Sequence, residues 1–328
     1  MTKLASYLKR YCSINYRVVF FFCLSFSCHT AATAQESHSS KNILFIMSKD
    51  APAYSQVADF VQADLRASER PYTFSKLLKS DRLGLAEGLN DADIIVTVGA
   101  GATEVAMEKK PSQPLVATLI TDSAFSALAN NYYGSTAAAL DAKVSVICLD
   151  QPVRRSIKLA KLLMPAASSA GLMLGPSSLD RGEEFARYAS EVGLTANLVN
   201  IKPSDNPILV IEPVLAKSDV FIPVPDSRLI NIASAKWILQ LSYRYRIPVI
   251  AYSKTYLNAG ALAAIYSSPE NVGRQTSELI LSQSVDIGSQ GGAHMPAYFS
   301  VQFNKTVARH LRIPLEERQF YIDQLLDD

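Results

Sequence analysis

Cysteine and histidine are scarce in this chain, and the scarcity excludes several chemistries. There are 4 of each among 328 residues. Cys12, Cys23 and Cys28 sit near the N-terminus, and Cys148 stands alone in "VSVICLD". Beyond the N-terminal stretch no internal disulfide is available, and so apolar a run reads as a strand that buries its thiol. His38, His294 and His310 are scattered, with no metal-ligand spacing. The nucleophile elbow G-x-S-x-G, the zinc motif H-E-x-x-H and the phosphate loop G-x-x-x-x-G-K-[ST] are all missing. No catalytic set is signalled, so neither an enzyme, a metal nor a cofactor is expected.

Acidic residues are absent before Glu36. Lys3, Lys9, Arg10 and Arg17 precede the apolar "VVFFFCLSFS" (Val18 to Ser27), and "AATAQE" comes next with Ala32 and Ala34 at small-residue positions. This is the order of a secretory signal peptide, so residues 1–34 are expected to be cleaved after Ala34 and the protein to be periplasmic. The apolar run is far shorter than the roughly twenty residues of a spanning helix. A lipoprotein is the competing reading, but the bulky Phe26 before Cys28 fits a lipid-attachment signal poorly. Losing those four basic residues from the 32 Lys+Arg leaves 28 against 30 Asp+Glu, a net charge of −2. No basic face for nucleic acid or a membrane surface is expected.

The dinucleotide fingerprint is also incomplete. "DIIVTVGAGATEVA" (Asp93 to Ala106) runs from a strand through a glycine turn towards a helix. Gly99 and Gly101 fit G-x-G-x-x-G, but Glu104 stands where the third glycine belongs. What remains is a strand–turn–helix whose free amides suit an anion or carboxylate, or a tight turn that needs small residues for packing.

What is present is alternation. "NILFIM", "ADIIVTV", "PLVATLI" and "KVSVICL" are continuous apolar runs, each succeeded by a helical stretch. Such runs are strands covered on both faces, in parallel βα units. The helix "AYSQVADFVQADL" aligns Val57, Phe60, Val61 and Leu65 on one face. The pattern restarts at "QPVRRSIKLAKLLMP" and continues through "AGLMLGPSS", "TANLVNI", "DVFIPVPDS" and "IPVIAYS". One strand, "GALAAIYSS", and one helix, "SPENVGRQTSELILSQ", then remain, too few for a third sheet. They are expected to complete the two earlier lobes, with the chain crossing between them. The final "LEERQFYIDQLLDD" is amphipathic, either docked on the second lobe or frayed.

The stretch "IPVIAYSKTYLNAGALAAIYSSPENVGRQTSELI" resembles the ABC-transporter periplasmic substrate-binding proteins, the tryptophan-binding-like group. Gly260, Ala261, Leu262, Ala263, Gly273, Arg274 and Gln275 carry the likeness. "FIPVPDS", "GLMLGPSS", "LDQPVRRSIKLAKLLMP" and "FSVQFNKTVARHLRIPL" extend it over most of residues 41–315. The chain departs from the family's Asn-Val-Thr-Gly stretch at the first crossing and from its asparagines at "GPSS". The resemblance implies a type I periplasmic-binding-protein fold: α/β, with two doubly wound parallel-sheet lobes joined by a three-crossing hinge. The crossings are expected near residues 145–152, 255–262 and 290–298. The N-terminal lobe would comprise residues 35–148 plus 262–290, and the C-terminal lobe 149–261 plus 298–328. The implied function is closure of a monomer around a small ligand, an amino acid or similar carboxylate, for delivery to an ABC permease. The alternative is a receptor-linked sensor without transport.

In such sheets ligands lie beyond the carboxyl ends of the strands. That rule selects Tyr54, the turn with Ala100, Gly101 and Ala102, and then Thr121, Asp122 and Ser123 from the first lobe. From the second it selects Ser177, Ser178, Asp226, Ser227, Tyr252 and Tyr256. The amides of 100–102 and the hydroxyls would hold a carboxylate, Asp226 or Asp122 an amine, and the tyrosines a planar or apolar part. The serines, Thr121 and the aspartates read equally as helix caps, and the tyrosines as packing at the lobe edge. Arg274 is either a carboxylate clamp or a structural ion pair.

Overall fold

The computed structural model describes residues 40–202, 204–226, 229, 232–283 and 291–326. The expected signal peptide, its cleavage site and Ser227 lie outside them.

The first half alternates strand and helix as the apolar runs predict, and adds a strand and a helix over residues 72–91 that those runs do not mark. Its elements are β1 (Lys41–Met47), α1 (Pro52–Arg66), β2 (Tyr72–Leu78), α2 (Arg82–Asp91), β3 (Ile94–Val98), α3 (Ala100–Lys109), β4 (Leu115–Ile120), α4 (Asp122–Tyr133), α5 (Thr136–Asp141) and β5 (Val144–Cys148). The second half repeats the scheme: α6 (Val153–Leu163), β6 (Ser169–Leu174), α7 (Arg181–Glu191), β7 (Thr195–Asn200), α8 (Pro207–Ala216), β8 (Val220–Phe221), α9 (Ile232–Tyr245), β9 (Ile250–Ala251) and α10 (Lys254–Asn258). Then come β10 (Ala263–Tyr266), α11 (Pro269–Gln283), β11 (Ala293–His294), β12 (Ser300–Phe303), α12 (Lys305–Leu311) and α13 (Arg318–Leu326).

Pairing sorts these into two sheets of the same winding. The first has the order β11-β5-β4-β3-β1-β2. The second is made of β7-β6-β8 and β9-β10-β12, joined by the parallel bridge Phe221–Val249. In each, the chain starts mid-sheet, steps outward once and then reverses past its starting strand. Ligands favour the crevice at that reversal, which falls between β1 and β3 in one lobe and between β6 and β8 in the other.

The central strands of both sheets are buried on both faces. Ile43 and Phe45 of β1 pack with Val61, Leu65 and Ile280 on one side, while Leu44 and Ile46 meet Met107 and Phe125 on the other. The second sheet sends Leu172 and Ile265 towards Ile157 and Phe185, and Met173 and Ala264 towards Ile211 and Ile238. Of the face expected on α1, Phe60 is the partial exception at 37% exposed. Its Cβ instead lies where a Cβ on Gly273 would be, at 2.5 Å, so the glycine lets α11 approach α1 closely. The tail docks: Tyr321 and Leu325 are buried in the second lobe's core, and Tyr321 packs on Phe303.

The pairing corrects one expected boundary. β10 pairs with β9 and β12 in the second sheet, not with the first lobe as the division at 262 has it. The helix after it, α11, does pack on α1 of the first lobe. The second crossing therefore lies at 267–268, and the stretch 255–262 is interior to the second lobe. The sequence misleads because β10 and α11 look like one βα unit, whereas the chain changes lobes between them.

One hydrogen-bonded knot ties all three crossings together. Gln151 in the first donates through Nε2 to Ser267 Oγ in the second at 3.0 Å, and Ser267 donates to Tyr298 O in the third at 2.9 Å. Arg155, buried on α6, donates through Nη1 to Gln151 Oε1 at 2.9 Å and to Pro296 O at 2.8 Å. Its guanidinium also lies 4.3 Å above the Phe299 ring. Arg155→Met would orphan the Pro296 carbonyl and the Gln151 side-chain carbonyl, at about 1–3 kcal/mol for each buried group left unpaired. Urea unfolding should show that loss, and an unchanged midpoint would show that the crossings are held by other contacts.

Cys148 ends β5 and is 2% exposed. Burial pushes its thiol up to about 12, with the Asp122 and Asp150 carboxylates adding to the rise and Arg181 opposing it. The thiolate is the reactive form. The folded protein should therefore resist maleimide or iodoacetamide near neutral pH and label fully in denaturant; rapid native labelling would contradict the burial.

Candidate ligand-binding site

The strand ends selected by sequence fall into three groups. The first belongs to the first lobe alone. Gly99 has φ +93°, which permits the turn from β3 into α3, and a Cβ there would lie 2.6 Å from the Tyr54 ring and 2.7 Å from Ser48 Oγ. Only glycine fits so close an approach in the left-handed region. Ser48 Oγ accepts from the Ala102 amide at 2.7 Å, so an amide expected to meet a ligand carboxylate is already used. Ala100 is exposed and Gly101 half-buried at the same helix start, where the Lys79 side chain crowds Gly101. Tyr54 is half-buried against Gly99.

The second group spans both lobes. β4 carries a register shift between Ala117 and Ile120, with Leu119 at φ +53°. A bulge of this kind re-aims the chain beyond it. Thr121 comes directly after the strand and caps α4 by accepting from the Ala124 amide at 3.3 Å; Asp122 and Ser123 begin the helix. Thr121 and Ser123 share a hydroxyl contact at 3.4 Å. The Asp122 amide donates to Asp150 Oδ2 at 2.7 Å. Arg181, the first residue of α7 in the other lobe, donates through Nη2 to Asp150 Oδ1 at 3.1 Å and lies 3.7 Å from Asp122 Oδ2. Asp150 is buried, and desolvation holds its carboxyl above the usual range, opposed by Arg181 and by the Asp122 amide.

The third group belongs to the second lobe. Asp226 is buried and already engaged: Oδ2 accepts from Ser178 Oγ at 2.8 Å and from the Ser177 amide at 3.1 Å, and Oδ1 accepts from the Leu229 amide at 3.1 Å. These contacts give Asp226 a structural role. It binds the turn after β6 to the chain after β8, with Ser178 fully buried between them. Tyr252 and Tyr256 flank the Ser253 cap of α10, with ring centroids 5.8 Å apart. Burial pushes the Tyr252 phenol up to about 12, and the Asp226 and Asp150 carboxylates add to the rise. Tyr256 is buried, its hydroxyl has no hydrogen-bond partner among the described residues, and its pKa is raised by that burial.

Sequence reasoning misses Asp150, Arg181 and Ser48. Ser48 and Asp150 each sit just past a strand's carboxyl end, so the strand-end rule reaches them. Arg181 gives a contrary signal, because a cation at a helix N-terminus opposes the macrodipole. Arg274 proves structural: it pairs with Glu278 at 3.2 Å and covers the Tyr298 ring at 4.0 Å.

No curated protein matches the chain in sequence. Among solved structures, a ligand-free, open substrate binding protein with adhesive properties from Clostridium difficile is 19% identical, covering 85% of this chain and 97% of its own, with a TM-score of 0.66. A conserved domain protein from Vibrio cholerae is 16% identical over 87% and 98%, with a TM-score of 0.56. An ABC domain in complex with L-Trp from Streptococcus pneumonia is 17% identical over 86% and 98%, with a TM-score of 0.54. At these identities the likeness shows the fold, that of type I periplasmic binding proteins. The family described as ABC transporter substrate binding protein matches residues 85–318, and with most of its length inside that match the chain belongs to this family of binding proteins, which is not an enzyme family.

Proposed function

We propose that the protein is a periplasmic solute receptor that closes its lobes on an amino acid or similar small carboxylate and delivers it to an ABC permease. The observation that carries this reading is the Asp122–Asp150–Arg181 cluster. It joins strand-end and helix-start residues of both lobes beside the hinge, where a ligand held between them would bear on their separation. Family membership supports a small-molecule ligand and a permease partner. The L-Trp in the pneumococcal relative supports an amino acid. The basic, apolar and small-residue order of residues 1–34 supports export, and no described helix is long and apolar enough to cross a membrane.

A thermal-shift screen of the chain from Gln35 onward tests the reading. The panel holds amino acids, small carboxylates, nucleosides and dinucleotides. A ligand at about a thousand times its Kd stabilises the native state by about 4 kcal/mol through mass action, enough to raise the melting point by several degrees. An amino acid or carboxylate should produce that rise. A rise with a dinucleotide alone would overturn the assignment.

A further inference from the structure

The geometry points to Arg181 and Asp122 as a clamp for a zwitterion, with Arg181 holding the carboxylate and Asp122 the ammonium of an α-amino acid between the lobes. This rests on the solute-receptor reading and narrows it.

Three observations converge. Arg181 is only partly committed: Nη2 meets Asp150 at 3.1 Å, and its Nε and Nη1 have no hydrogen-bond partner among the described residues, with the side chain 13% exposed. A guanidinium presents a planar fork that matches a carboxylate. Asp122 is the complementary half, its carboxylate 46% exposed and, among the described residues, paired only through the long 3.7 Å contact to Arg181. Asp150, at 1% side-chain exposure, anchors both by accepting from the Asp122 amide and from Arg181. The two open charges thus face each other from opposite lobes, at a separation an α-amino acid's own two charges can bridge.

The alternatives for each role are engaged elsewhere. The Ala102 amide is taken by Ser48, and Asp226 accepts from Ser177, Ser178 and Leu229. Helix stability does not account for Arg181 either. A cation on the first turn is repelled by the α7 dipole, and Glu183 and Glu184 supply the favourable acids there. Of the two tyrosines selected by sequence, Tyr252 feels the Asp150 carboxylate, while Tyr256 is buried in the second lobe's core with its ring 5.8 Å away.

Calorimetric titration of the exported protein tests the clamp with three probes, L-tryptophan, L-phenylalanine and L-leucine. Each is compared with the amine lacking its carboxylate and the acid lacking its α-amino group. The bound amino acid should exceed both analogues at least tenfold in affinity, the scale of one charge-assisted hydrogen bond. Arg181→Met should weaken the amino acid about ten- to a hundredfold and should not weaken the amine analogue. Asp122→Asn should weaken the amino acid and should not weaken the deaminated acid. Equal losses for amino acid and amine in Arg181→Met, or no loss, would overturn the clamp. So would deaminated acids binding as tightly as amino acids, a result that leaves the receptor reading standing. Binding of ribose or a nucleoside with none of the three amino acids would remove clamp and reading together. Should Arg181→Met fail to fold, the analogue comparison on the unaltered protein decides alone.

Discussion

The structure depends on one buried guanidinium. Arg155 lies where three chain crossings meet, and a charge so placed is costly unless its donors are matched. Gln151 and the Pro296 carbonyl both accept from its Nη1, and the Phe299 ring covers the cation's face. Ser267 closes the knot by accepting from Gln151 and donating to Tyr298. These bonds are short-range and directional, so they fix how the three crossings lie against one another between two separately cored lobes.

The hinge and the candidate site are adjacent in the chain. Asp150 holds Arg181, and the next residue, Gln151, holds Arg155. A change in what Arg181 binds acts on Asp150, one peptide from the knot. Leu119 contributes from the other side. Its left-handed backbone at the β4 bulge turns Thr121 and Asp122 towards β5, so the Asp122 amide reaches the Asp150 carboxylate.

The fold is legible in the sequence because continuous apolar runs and helical periods arise from burial on two faces, a pattern that needs no partner to be read. The same property misassigns β10 to the first lobe. Its sequence says "buried strand" and nothing about which sheet, and the parallel pairing Ala263–Ile250 is a long-range fact. Site positions at strand ends are legible as positions, while their roles are not. Asp226 looks identical in sequence whether or not it ties two turns together, and only the contacts to Ser177 and Ser178 show that it does. Arg181 escapes a sequence reading because local helix electrostatics argues against it, and its reason for being there lies in the other lobe.

The mutual pairing of Arg181 with two aspartates also explains how charge is tolerated there. Arg181 and Asp150, at 13% and 1% side-chain exposure, would each lose hydration without compensation if unpaired. Set against each other, they neutralise one another at little cost, and the long 3.7 Å arm to Asp122 is the weaker of the two contacts. A zwitterion replaces that arm with two better ones, while the 3.1 Å bond to Asp150 need not break. The exchange keeps the local charge balanced before and after. A ligand carrying only one of the two charges would satisfy one partner and strand the other, so discrimination arises from what is left unpaired rather than from what is gained.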